Sequence, residues 1–127
     1  MWLKLPSPVG FRSNLINKNA AEHLQPGEEI EQVAIVRAQD TGGTNYAVAA
    51  TPSHVYVFAL GGMGFAKVRE VLTRIPIGKA VVERRASFLT VGRRGQEQPD
   101  HIFSTLPGGG PKRVAAYVTE HGGGSGQ

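Results

Sequence analysis

The chain contains no cysteine. Disulfides, thiolate catalysis and cysteine-ligated metals are excluded together, and the redox environment is left open. Long apolar runs are missing too: no stretch approaches the ~18 consecutive apolar residues that a membrane-spanning helix needs. In the opening stretch MWLKLPSPVGF, Pro6 and Pro8 interrupt any secretory apolar core before it develops, so no leader is expected there. Aromatic residues make up only 7% of the chain. They do not interleave with Lys and Arg along one strand face, which counts against a base-stacking surface for nucleic acid. Aspartate is scarce: Asp40 and Asp100 are the only two, and both fall in turn-forming stretches where the side chain commonly bonds to backbone.

What is present describes one ordinary domain. The 127 residues are 40% apolar and 19% charged, enough for a single core and too apolar for general disorder. The net charge of +4 permits attraction to an acidic protein, an anionic lipid or nucleic acid, and selects none of them. A soluble, cytoplasmic protein is expected, with at most a peripheral contact to membrane.

Along the chain, residues 1–12 read as an arm, because Pro6 and Pro8 stand too close for a helix or central strand. Ser13 to Leu24 suits a short helix capped by Ser13 and ended by Gln25-Pro26-Gly27. Strand signals follow at Ile30–Arg37, Asn45–Thr51, His54–Leu60, Lys79–Arg85, Ser87–Arg93 and His101–Thr105. The run His54–Leu60 (HVYVFAL) is apolar on both faces, as befits a strand covered on two sides. The segment FAKVREVLTRIP is ambiguous: Val68, Val71, Leu72 and Ile75 fit helical spacing, whereas Thr73 to Pro76 and the flanking strands favour a strand from about Arg69 to Ile75. Lys112 to His121 places Val114, Tyr117, Val118 and His121 on one face of an amphipathic helix. A single domain over residues 13–121 and a flexible glycine-rich tail over 122–127 complete the organisation. The expected fold is mainly β: a seven-stranded, partly open barrel or sandwich, a capping C-terminal helix and a short N-terminal helix.

Three stretches carry a resemblance. LQPGEEIEQVAIV, YAVAATPSHVYVFALGGMG and KVREVLTRIPIGKAVVER together resemble small actinobacterial pleckstrin-homology-like (PH-like) domains. Leu24, Pro26, Gly27 and Glu28 match the turn before the first strand. Thr51 with Val55 to Phe58 matches a threonine-led turn into an aliphatic strand, and Ile75-Pro76 matches the pair before the next strand. The likeness spans roughly residues 22–121. It departs at Pro52-Ser53-His54, where many relatives carry an acidic and then basic residues. The resemblance implies a PH-like barrel plugged by the helix, a binding role, and no catalytic residues or cofactor.

In that arrangement the loops after strands one, three and six share the open end. Arg37, Lys67, Arg69, Arg93 and Arg94 then become candidates for holding a phosphate or carboxylate, and Met63 and Phe65 for an apolar partner contact. The strand Asn45–Thr51 carries none of the basic residues that inositol-lipid recognition needs. The glycine loops at 61–64 and 108–110 lack the Lys-Ser/Thr ending of a phosphate-binding loop and read as turns. The four histidines, at 23, 54, 101 and 121, have no ligand spacing, so no metal is expected. Ser53 and His54 are chain neighbours, and strand alternation predicts that they diverge, which counts against a hydrolytic pair. Arg84-Arg85-Ala86-Ser87 has the form basophilic kinases favour, but such short motifs arise often by chance and the hairpin turn alone is the better explanation. The functional expectation is a non-enzymatic module for protein contacts, through open-end loops or a strand edge, including self-association. The alternative is peripheral binding of an anionic lipid or small anion by the basic rim.

Overall fold

A computed structural model of the chain describes residues 20–38, 45–61, 67–106 and 109–122. Seven strands follow one another: β1 (Gln32–Ala38), β2 (Asn45–Ala50), β3 (His54–Gly61), β4 (Lys67–Pro76), β5 (Ala80–Arg85), β6 (Phe88–Arg93) and β7 (His101–Thr105). A helix, α1 (Gly110–His121), closes the fold, and short 3-10 turns stand at Ala21–His23 and Ile77–Lys79. The strands form one antiparallel sheet in the order β4-β3-β2-β1-β7-β6-β5, so β4 and β5 are its two edges. The fold is the expected mainly-β, partly open one with a C-terminal helix. Most of the expected N-terminal helix, the arm, Met63 and Phe65 lie outside the described residues.

The sheet coils so that its two halves face each other. Val36, Val48, Val55, Val57 and Ile75 from β1–β4 meet Val82, Leu89, Val91 and Phe103 from β5–β7 in one core. The contact of His101 on β7 with Thr73 on β4, strands that are not neighbours in the sheet, marks that closure. Alternate residues of β3 point the other way: Tyr56, Phe58 and Leu60 enter a second cluster with Ala47, Ala49, Val33 and Ile30. The strand is buried on both faces, as its unbroken apolar run requires. Register explains the alanines of β2. Ala47 and Ala49 pair with Phe58 and Tyr56, so small residues stand opposite stacked rings.

The segment whose pattern fits both helix and strand is β4. Its register against β3 shifts between Val57 and Phe58 and again between Ala59 and Leu60. Each bulge adds a residue and resets the two-residue alternation. Apolar positions in β4 therefore recur at intervals of three and four without a helix being present.

Helix α1 packs on β1, β2 and β5 through Pro111, Val114 and Val118. Tyr117 is half-buried, but His121 is exposed, its ring stacked on Tyr117 at 3.9 Å and its Nδ1 3.0 Å from the Tyr117 carbonyl. The buried stripe thus ends one turn earlier than the sequence pattern implies. Glycine at both helix ends permits the close seating. A Cβ on Gly110 would lie 3.1 Å from the Val33 carbonyl oxygen, and one on Gly122 would lie 2.5 Å from that of Ile77. Gly122 is buried, which carries the packed chain one residue past the expected boundary. Among the described residues, no helix is long and apolar enough to cross a membrane.

Candidate functional site

Two polar regions stand out, and they are built on opposite plans. The first begins at Gln25-Pro26-Gly27-Glu28, a tight turn in which the Glu28 N–H donates to the Gln25 carbonyl at 2.9 Å. Pro26 presets one central position, and Gly27 supplies the left-handed conformation at the next, with φ 81°. The turn aims the Glu28 carboxylate into the bend between β2 and β3.

There the carboxylate is surrounded. One oxygen accepts hydrogen bonds from Thr51 Oγ1 and from Ser53 Oγ at 2.7 Å, and sits 3.1 Å from His54 Nδ1. The other accepts from Tyr56 OH at 2.5 Å and from the Gln25 N–H at 2.9 Å. Thr51, fully buried, also accepts from the N–H groups of Ser53 and His54, so it holds the bend while donating to Glu28. The Glu28 side chain is only 4% exposed. Burial alone would raise its pKa, but the bonds from Thr51, Tyr56, Ser53 and the Gln25 N–H outweigh burial and hold it down at about 2. Burial, with the bond to the Glu28 carboxylate and its charge, pushes Tyr56 up to about 12.

The expectation that Ser53 and His54 diverge is corrected here. Their Oγ and Nδ1 atoms lie 3.0 Å apart, because Ser53 occupies a bend rather than extended strand, and alternation does not apply. A proton relay needs the acid on one imidazole nitrogen and the hydroxyl on the other. In this cluster Glu28 and Ser53 share the same nitrogen, Nδ1, and Ser53 donates to the carboxylate. Both carboxylate oxygens are committed, and the arrangement is that of a tie between the entry turn and the β2–β3 bend. Among the described residues, no group of three His, Asp or Glu could hold a metal ion.

The five predicted anion-binding residues do not form one cluster: the register sets Arg37 level with Lys67 and Arg69, and Arg93 and Arg94 further along the sheet. Arg37 pairs across β1–β7 with Ser104, which pairs with Phe88, whereas Arg93 stands five residues further along β6. At ~3.3 Å per residue that separates their main chains by roughly 16 Å along the strand. Lys67 and Arg69 lie at the start of β4, while His101, close to Arg93 through the β6–β7 pairing, meets Thr73 further along β4. Arg93 is also engaged with Asp100 at 3.3 Å. Arg94 donates to the carbonyls of Gly78 and Gly122 at 2.9 and 3.1 Å, fastening the end of α1 to the β4–β5 connection.

The second region lies along the edge of β5. The Arg94 N–H donates to the Lys79 carbonyl at 2.9 Å, which sets the phase of the β5–β6 ladder. Hydrogen-bonded pairs alternate in antiparallel sheet, so 81/92, 83/90 and 85/88 exchange bonds. Ala80, Val82 and Arg84 consequently turn their N–H and C=O groups away from β6, toward the open edge. Beside that edge runs a groove of about 590 Å3, walled by α1 through Lys112, Ala115, Ala116, Thr119 and Glu120 and by β5 through Val82, Glu83, Arg84 and Arg85. The opposite edge is guarded. On β4 the same reasoning, phased by the Ile77 N–H on the Ser53 carbonyl at 2.9 Å, turns Arg74 and Pro76 outward. A proline without an N–H, two bulges and the charges of Lys67, Arg69, Glu70 and Arg74 blunt strand addition there.

No protein-family model matches the chain, and neither a curated protein nor a solved structure matches it. The signal for the Glu28 cluster was present in the sequence as a glutamate after Pro-Gly and the spaced hydroxyls of Thr51, Ser53 and Tyr56. The groove had no local signal, since it is formed by β5 and α1 meeting across some thirty residues of chain.

Proposed function

We propose that this chain is a PH-like, non-enzymatic binding module that captures an extended segment of a partner protein as an added strand on β5. The observation that carries the reading is the ladder phase of β5, which turns the main-chain groups of buried Val82 and exposed Arg84 away from β6, beside a groove of about 590 Å3 under α1. Strand addition derives affinity from main-chain hydrogen bonds and specificity from pockets for alternate side chains. The edge supplies the former, and the Val82–Ala115–Ala116 floor supplies the latter. The order of seven antiparallel strands and a terminal helix supports the family reading, as do the Leu24–Glu28 turn and the Ile75-Pro76 pair that ends β4.

A displayed library of unrelated twelve-residue peptides, selected on the wild-type protein, tests the proposal. Binders should enrich, retain affinity within a few-fold for Arg84→Gln, and lose it for Arg84→Pro, which removes an outward N–H without breaking a ladder bond. Binders indifferent to Arg84→Pro, or no enrichment at all, would sink the reading. A wild-type dimer that Arg84→Pro converts to monomer would assign the groove to a second copy instead. Peripheral binding of an anionic lipid draws no support from the scattered placement of the five cations.

A further inference from the structure

The same groove carries an order of charges, and this step rests on the strand-addition reading. Gly122, at the end of α1, seats against Ile77, just before β5 begins. The helix therefore runs back along β5 in the opposite direction, which sets Lys112 beside the Arg84 end of the strand and Glu120 toward its start. Val82 and Arg84 share the face of β5 that looks toward the helix, because side chains alternate and Val82 lies in the core with Val114 and Val118. Glu83 and Arg85 also border the groove, but alternation turns their side chains to the other face of β5, where they pair with each other at 3.5 Å. What faces an added strand from the helix side is thus a cationic end of Arg84 and Lys112, a small-walled middle of Ala115 and Ala116, and an anionic end at Glu120.

The spacing turns that order into a pattern. Lys112 and Glu120 are eight residues apart on α1, or ~12 Å at 1.5 Å per residue. In an extended chain, residues i and i+4 lie on one face about 13 Å apart, with i+2 between them on the same face. We infer that the preferred occupant presents an acidic side chain, a bulky apolar one and a basic one at alternate positions. The acid meets Arg84 and Lys112, the apolar residue fills the space over Ala115 and Ala116, and the base meets Glu120.

Four synthetic ten-residue peptides with a Ser/Thr background test this. Each has a central leucine flanked at −2 and +2 by Glu/Lys, Lys/Glu, Glu/Glu or Lys/Lys. One of the two mixed orders should bind at least fivefold more tightly than the other three peptides, which one depending on strand direction. In the triple variant Arg84→Glu, Lys112→Glu, Glu120→Lys, preference should pass to the opposite mixed order. All three positions are exposed, so the fold should survive, as circular dichroism would verify. Equal binding of all four peptides, or an unchanged preference in the triple variant, overturns the charge order and leaves the groove standing. The charge order also falls alone if none of the four binds while displayed-library binders still depend on the Arg84 N–H. Absence of any binder in either experiment overturns both.

Discussion

The Glu28 tie and the β5–α1 groove are both rich in polar groups, yet one is closed and the other open. Around Glu28, both carboxylate oxygens are engaged, and Thr51, Ser53 and Tyr56 each spend a hydroxyl on the carboxylate. Along β5, the main-chain groups of Val82 and Arg84 face a groove with no strand in it. A saturated polar cluster holds a fold together, because each buried group already has its partner. An unsaturated edge in contact with solvent recruits one. Stability and binding should accordingly separate between the two regions.

The largest effect should come from Glu28→Ala. It leaves the hydroxyls of Thr51 and Tyr56 without their acceptor and is expected to cost about 3 kcal/mol in denaturant unfolding. Peptide affinity of the folded fraction should not change. A loss of binding without a loss of stability would exchange the roles assigned to the two regions.

Acid should reproduce part of that loss. The Glu28 carboxyl titrates at about 2 in the fold against 4.5 as an ordinary carboxyl. A depressed acid contributes stability that is complete above the unfolded value and disappears as pH falls through the folded one. Between pH 4.5 and about 2 the protein should lose up to about 3 kcal/mol, and Glu28→Gln should flatten that part of the profile. Tyr56 adds a smaller dependence of opposite sign. Its pKa is raised from 10.0 to about 12, so its contribution is complete below pH 10 and fades as pH rises toward 12. The two shifts share the Glu28–Tyr56 bond and do not add.

At the groove the pattern should invert. Arg84→Pro is expected to weaken selected peptides at least tenfold, about 1.4 kcal/mol, while unfolding changes little. Leu72→Pro, at the bulge of the guarded edge, should leave binding intact. The smallest effect concerns the hairpin that carries the open edge. Ala86 sits in the turn at φ 51°, a conformation glycine adopts without strain. Ala86→Gly should raise stability by about 0.5–1 kcal/mol with no change in affinity.

How much of this was legible in the sequence follows from the range of each interaction. Strands and the helix were readable because alternation, turn residues and the Val114/Val118 spacing are local signals. β4 was ambiguous for a physical reason: its two bulges reset the alternation, and no single-period template fits such a strand. The Glu28 cluster joins residues 23 to 28 positions apart, beyond any local window. Ser53 and His54 converge against expectation because the bend beginning at Pro52 suspends strand geometry for two residues. Pooling the basic residues fails to anticipate the stagger of β6 and β7 against β1, which only the pairing register reveals.

Amide hydrogen exchange at Val82 and Arg84 tests the central claim most directly. In the free protein these two amides should exchange faster than those of Val81, Glu83 and Arg85, which are bonded to β6. Addition of a peptide selected on the wild-type protein should protect both. Protection appearing at Leu72 and Arg74 instead, or at neither edge while the peptide is bound, would contradict strand addition at β5.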